Sequence, residues 1–168
     1  GSDLDACGLV FMNQNGNGVF PKTESEIREL TEATKIPFIV KGIMTVEDAL
    51  ASHRAGASAI VVSNHGGRVL DHARATADVL PEIAAALKGK LTILVDGGIR
   101  DGVDVFKMLA LGADAVLIGR PFVTYAFGGG AEGVAMYIEG LKAELSGAMR
   151  LTGAATVADI TAERIHRP

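Results

Sequence analysis

Cysteine is almost absent from the 168 residues, with Cys7 standing alone. One thiol cannot close an intramolecular disulfide or build a cysteine-based zinc site, and such sparing use suits a reducing, cytoplasmic setting. No apolar run reaches the roughly 20 residues that a membrane span needs, and no signal peptide opens the sequence, so no membrane partner is expected. Clustered positive charge is missing too. Sixteen Lys and Arg against 20 Asp and Glu leave a net charge of −4, with a pI near 5.5. That balance offers no basic field, and nucleic acid is not an expected partner. Length is short in one respect: a complete eight-unit β/α barrel takes about 250 residues.

What is present is a hydrophobic fraction of 48% and a mean hydropathy of +0.29, enough for one globular domain with a real core. Gly1-Ser2 reads as a tag remnant and 3–168 as a single domain. Ala6 to Met12 leads into Asn13-Gln14-Asn15-Gly16-Asn17-Gly18, a polar stretch expected to be a mobile loop. Thr23 and Glu26 have capping-box spacing, which predicts a helix from Glu24 to Ala33 or Thr34 with Ile27, Leu30 and Ala33 on its inner face. Ile36 to Val40 reads as a strand ending at Lys41-Gly42, and Thr45 as the cap of a helix carrying Val46, Ala49 and Leu50.

Ala59-Ile60-Val61-Val62 is a buried strand, and a helix is expected near Ala77 to Leu87. Leu91 to Val95 is the next strand, followed by a helix with Val103, Phe106, Leu109 and Ala110 inward and a strand at Ala115 to Ile118. Helix from Gly133 to about Met149 and a short segment at Thr156 to Ile160 complete the pattern. Strand alternating with helix predicts a parallel α/β architecture. Ala55 to Val62 and Leu111 to Ile118 match in character position for position, each a helix-end glycine and a small-residue turn into a strand.

Strand ends then fall at Lys41, Ser63, Asp96 and Gly119, and their polar residues are expected on one rim. Ser63-Asn64-His65-Gly66-Gly67-Arg68 sets an imidazole and a guanidinium three residues apart at a strand's C-terminal end, where α/β enzymes present chemistry to substrate. Read blandly, the same turn is an ordinary solvated loop. Gly97-Gly98-Ile99-Arg100 and Gly119-Arg120 put glycine N–H groups and forked cations after the last two strands, as a barrel phosphate site does. The alternative for both arginines is a surface salt bridge. Asp96 suits sugar-like hydroxyls or, equally, the cap of the next helix. Lys41 is either a solvated strand-end lysine or a cation paired with an anion.

Pro37-Phe38-Ile39-Val40-Lys41-Gly42, Ser63 to Arg68, Asp96 to Gly102 and Ile118-Gly119-Arg120-Pro121 together resemble the motifs of the FMN-dependent α-hydroxy-acid oxidases and dehydrogenases, four motifs in order at suitable intervals. The family includes glycolate oxidase, lactate oxidase and mandelate dehydrogenase. The resemblance implies the C-terminal half, strands five to eight, of a (β/α)₈ TIM barrel, with Asp3-Leu4-Asp5 ending the fourth strand. It implies FMN as cofactor and oxidation of a small L-2-hydroxy acid to a 2-oxo acid. His65 would be the base, Arg68 the carboxylate clamp, Lys41 the partner of the flavin N1/O2 edge, and Asp5 the acceptor from His65. Ser63 would touch the flavin's pyrimidine edge and Asp96 the ribityl hydroxyls, with Gly97, Gly98, Arg100, Gly119 and Arg120 around the phosphate.

In this resemblance the first half of the barrel supplies two active-site tyrosines, which Tyr125 and Tyr137 do not match. Four parallel strands alone leave raw edges and an uncovered inner face, so a second copy or a separate N-terminal half-barrel is the expected partner. Two further readings stand beside catalysis. One is a non-catalytic half-barrel that binds FMN or phosphate; the other is a phosphate-binding barrel with Lys41 as a Schiff-base nucleophile.

Overall fold

Local chemistry starts each helix. Thr23 accepts the Glu26 N–H at 3.3 Å while the Glu26 carboxylate accepts the Thr23 N–H at 2.7 Å, closing the capping box of α1 (Glu24–Glu32). Thr45 caps α2 (Val46–Arg54) through the Asp48 N–H. Asp101 does the same for α4 (Gly102–Ala110) through the Asp104 N–H at 2.7 Å. Between these lies α3 (Thr76–Leu87), and α5 (Arg120–Thr152) follows the last strand. This computed structural model describes residues 1–4 and 20–166; the expected loop at Asn13 to Gly18 lies outside them.

The strands are β1 (Ser2–Asp3), β2 (Ile39–Ile43), β3 (Ala59–Val62), β4 (Thr92–Val95) and β5 (Ala115–Val116). They form one five-stranded sheet in sequential order, every neighbouring pair parallel. Two returns from helix to strand share one hydrogen-bond pattern, as the internal repeat anticipates. Ala57 N donates to Ser52 O and Gly56 N to His53 O; Ala113 N donates to Met108 O and Gly112 N to Leu109 O. Both are Schellman endings, with Gly56 and Gly112 at φ of 87° and 112°.

Alternation along the strands sorts the sheet's two faces. Val40, Ile60, Val62, Ile93 and Val95 are buried in the main core against Val79, Leu80, Ile83, Leu87 and Met108 of the helices, each large aliphatic contributing about 1.5–3 kcal/mol. The other face is less covered: Ile39 and Thr92 are exposed and Leu94 is only half-buried. Asp114 ties the two last strands together. Its Oδ2 accepts the Ile93 N–H at 2.8 Å and its Oδ1 takes Lys88 Nζ at 2.6 Å. Burial pushes this carboxyl up, but the Ile93 amide and the Lys88 ammonium outweigh it and hold it below the ordinary value.

Several expectations need correction. The second strand runs through Lys41 and Gly42 to Ile43 rather than from Ile36, because Gly42 at φ 99° forms an irregularity that lets Ile43 pair with Val62. Of the expected inner face of α1 only Ile27 is buried; Leu30 and Ala33 are exposed, since the helix touches the body along one narrow line. Val103 is 42% exposed. Helix α4 is sandwiched, with Met108 toward the sheet core and Phe106 and Ala110 in a second cluster against α5, which leaves Val103 on the solvent side. The last strand is shorter than expected, ending at Val116. Helix also begins at Arg120 instead of Gly133, with a break at Gly130 (φ 56°, ψ −142°).

Gly102 is where α4 and α5 touch backbone to backbone: a Cβ there would strike Leu141 O and Leu145 N. Gly102→Ala should lower stability by about 1–3 kcal/mol, read as a lower urea midpoint at unchanged slope. Gly147→Ala, where a Cβ meets open space, should be neutral or gain up to about 1 kcal/mol. Asp114→Asn should cost about 1 kcal/mol at neutral pH. A carboxyl held low stabilises above its unfolded pKa, so that gap should close as pH falls through the carboxylate range.

Candidate functional site

Because the strands are parallel, the segments leaving β2, β3, β4 and β5 emerge on one rim, and they enclose a cleft of about 640 Å³. Lys41, His65 and Arg68 line it together with Asp96, Arg100 and Arg120. Arg68 and Arg120 therefore share one mouth; Arg120 Nη2 donates to Gly66 O at 3.3 Å, inside the His65 loop.

One end of the cleft is a cluster of opposite charges. Lys41 Nζ lies 3.2 Å from Asp3 Oδ2, 3.3 Å from His65 Nδ1 and 3.9 Å from Asp96 Oδ2. The lysine side chain is 24% exposed and ion-paired, which answers the choice between a solvated and a paired cation. His65 Nδ1 is also 3.8 Å from Asp3 Oδ2. An ammonium only donates, so with Lys41 on Nδ1 the neutral ring carries its proton on Nε2. With Nδ1–H turned to the carboxylate, the neutral ring carries its acceptor lone pair on Nε2. His65 sits at φ 55°, a left-handed conformation costly for a residue with a Cβ. Its N–H donates to Ser63 Oγ at 3.1 Å. Gly66 and Gly67 continue at φ 67° and 72°, and Asn64 Oδ1 accepts the Gly67 N–H at 3.0 Å.

The other end is built from glycine and arginine. Gly97 and Gly98 take φ of 91° and 77°, and at Gly98 and Gly119 a Cβ would find open space. The N-terminus of α5 opens onto the cleft at Gly119 to Pro121, presenting unsatisfied N–H groups. Among the described residues neither Arg100 nor Arg120 is in an ion pair with a carboxylate, so the salt-bridge alternative does not account for them. Asp96 does not cap the next helix, since Asp101 holds that place. Its Oδ1 is buried with no hydrogen-bond partner.

Ser63 stands apart from the other expected site residues. It is fully buried behind the loop and does not line the cleft. Asp5 lies outside the described residues. Among the lining residues that carried no role in the sequence reading are Asp3, Tyr125 and Tyr137. The tyrosines stack with centroids 4.4 Å apart, and Tyr137 Oη donates to Arg100 O at 2.7 Å. The available signal for Asp3 was its sequence spacing of two from Asp5 in a run expected to end a strand, since residues i and i+2 of a strand share a face. For the tyrosines no local signal existed, as Tyr125 and Tyr137 lie on either side of Gly128-Gly129-Gly130 and away from the strand-end motifs.

Comparison with known proteins is consistent along the chain. Residues 10–167 match the family model described as FMN-dependent dehydrogenase. A peroxisomal (S)-2-hydroxyacid oxidase of Arabidopsis thaliana is 49% identical over 140 residues, 83% of this chain and 39% of that protein. An L-lactate oxidase of Lactobacillus jensenii is 50% identical over 153 residues, 91% of this chain and 38% of its own length. A crystal structure of mandelate oxidase with 3,3-difluoro-2-hydroxy-3-phenylpropionic acid superposes with a TM-score of 0.81 at 45% identity, covering 86% of this chain and 44% of that one. The chain thus spans about two-fifths of the length of these relatives.

The Ser63 hydroxyl supports a strained His65, so Ser63→Ala should lower stability by about 1 kcal/mol in urea denaturation. It should also broaden or shift the His65 imidazole resonances while leaving those of the distant His53 in place.

Proposed function

Since the chain belongs to the FMN-dependent dehydrogenase family, we propose that it carries the FMN-phosphate grip, the base and the carboxylate clamp of a 2-hydroxy-acid oxidoreductase. Its architecture is then strands five to eight of a (β/α)₈ barrel. The observation that carries the reading is the single cleft in which Lys41, His65 and Arg68 meet the glycine-arginine loops of β4 and β5. Strand order also supports it, because a sheet that runs 1-2-3-4-5 without reversal matches a barrel segment and lacks the switch point of a doubly wound sheet.

The residues present fit FMN. The orphaned Oδ1 of Asp96 awaits a hydroxyl donor, as a ribityl chain supplies, and the open spaces beside Gly98 and Gly119 suit close approach by a phosphate. Arg100, Arg120 and the N-terminus of α5 would balance its charge. When bound, the flavin supplies the acceptor for the two electrons that leave the 2-hydroxy acid. Arg68 holds the substrate carboxylate with its planar fork. His65 takes a proton from the substrate, and the carboxylate of Asp3 at 3.8 Å favours the imidazolium so formed. Asp5 is a further candidate for that task. Lys41 provides positive charge beside the flavin ring; Asp3 and Asp96 around it make it a poor Schiff-base nucleophile, which sets the aldolase-like reading aside.

A second reading is FMN or phosphate binding without turnover, favoured by the open sheet. Strands β1 and β5 are its two edges, and Leu117 just after β5 and Val123 and Phe127 in the first part of α5 are exposed, Phe127 by 91%. Closure by a second copy or by further β/α units of the kind a complete barrel contains would cover them.

Titration with FMN should quench flavin fluorescence saturably, with riboflavin binding more weakly. Arg120→Ala should weaken FMN about tenfold or more, the loss expected for one charge-assisted contact. Loss of flavin colour on anaerobic addition of glycolate or lactate should occur with the wild type and not with His65→Gln, which should still bind FMN. Colour unchanged by either acid would leave the binding-only reading. No FMN binding at all would remove the proposal, and a well-folded monomer in size-exclusion chromatography would remove the partner.

A further inference from the structure

We propose that Tyr137 is a positioning residue that sets the spacing between the two anion-gripping loops, Gly97 to Arg100 and Gly119 to Arg120, and thereby sets affinity for the cofactor's phosphate. The proposal rests on the FMN reading above.

Arg100 has its backbone pinned on both sides. Its N–H donates to Asp104 Oδ2 at 3.1 Å, within the first turn of α4, and its carbonyl accepts the Tyr137 hydroxyl at 2.7 Å. With both peptide groups held, the side chain can leave the backbone in only a narrow range of directions. The second loop is reached through the rings. Tyr137 stacks on Tyr125 at 4.4 Å with planes 10° apart, and Phe122 meets it edge-on at 5.0 Å and 74°. Phe122 is two residues beyond Arg120. One aromatic block therefore touches the β4 loop by a hydrogen bond and the β5 loop by packing.

The path of α5 makes this possible. The break at Gly130 turns the second part of the helix back on the first, and Gly133 lies so close to Tyr125 O that a Cβ would collide with it. Tyr137, one helical turn beyond Gly133, is buried. A core tyrosine needs a partner for its hydroxyl, but any carbonyl would serve; the one used belongs to the arginine that lines the cleft. Burial first, and then Tyr125 and Asp101, raise the Tyr137 phenol above its ordinary pKa. It is a neutral donor throughout the physiological range.

The test compares FMN, inorganic phosphate and riboflavin on wild type, Tyr137→Phe and Lys142→Ala, the last on the exposed face of α5 away from the cleft. Tyr137→Phe keeps the stacked ring and removes only the donor. It should weaken FMN and phosphate about five- to tenfold, the size of one lost hydrogen bond to a site-defining group, and leave riboflavin, which lacks the phosphate, unchanged. Lys142→Ala should change none of the three. Should Tyr137→Phe not fold, Phe122→Leu loosens the ring with the hydroxyl in place and should give a smaller loss with the same pattern. An equal loss for FMN and riboflavin, or no loss for phosphate, would overturn the positioning role while leaving the FMN reading intact. Failure of the wild type to bind FMN or phosphate would overturn both.

Discussion

Parallel pairing delivers every strand's C-terminal end to the same side of a sheet, and the rest of this molecule depends on that geometry. With β2 to β5 in sequential parallel order, four loops far apart in the chain have only one rim to occupy. β3 is buried on both faces and hydrogen-bonded to neighbours on both sides, so the His65 loop leaves from the most constrained strand. Chemistry placed there inherits the rigidity of the core.

The rim divides its charges by purpose. At one end a histidine and two carboxylates each lie within 4 Å of the Lys41 ammonium, an arrangement that lets a proton or a negative charge appear with little rearrangement. At the other end Arg100 and Arg120 make no ion pair among the described residues, and a buried carboxylate oxygen of Asp96 receives no hydrogen bond. An orphaned buried acceptor destabilises a bare fold, whereas Arg100 and Arg120 are exposed and hydrated. Under the proposed function a ligand hydroxyl would satisfy that acceptor and a phosphate would engage the two guanidinium groups. The left-handed His65 belongs to the same pattern of local strain held by a surrounding network.

Helix α5 adds a second level of order. Its two parts fold against each other at Gly130, and the aromatic block they form bridges the loops after β4 and β5. Side chains with no contact to a reacting group can thus control how two binding loops face each other, through one hydrogen bond and two ring contacts.

Sequence alone determined the alternation of strand and helix, the caps at Thr23 and Thr45, the paired glycine endings at Gly56 and Gly112, and the strand-end motifs around Lys41, His65, Asp96 and Arg120. These are local signals: hydrogen bonds within a few residues and hydrophobic period report directly on the backbone that carries them. Family likeness followed from the same motifs. Tertiary structure alone decided which side chains meet. Asp3 reaches Lys41 across 38 positions and Tyr137 reaches Arg100 across 37, and neither spacing leaves a trace in a local pattern. The bulge at Gly42, the outward Val103 and the helix begun at Arg120 escaped for the same reason, because packing against distant elements overrode propensity there. Ser63 shows the limit most plainly: it occupies a motif position, yet only the fold reveals that its hydroxyl points back to hold the His65 amide.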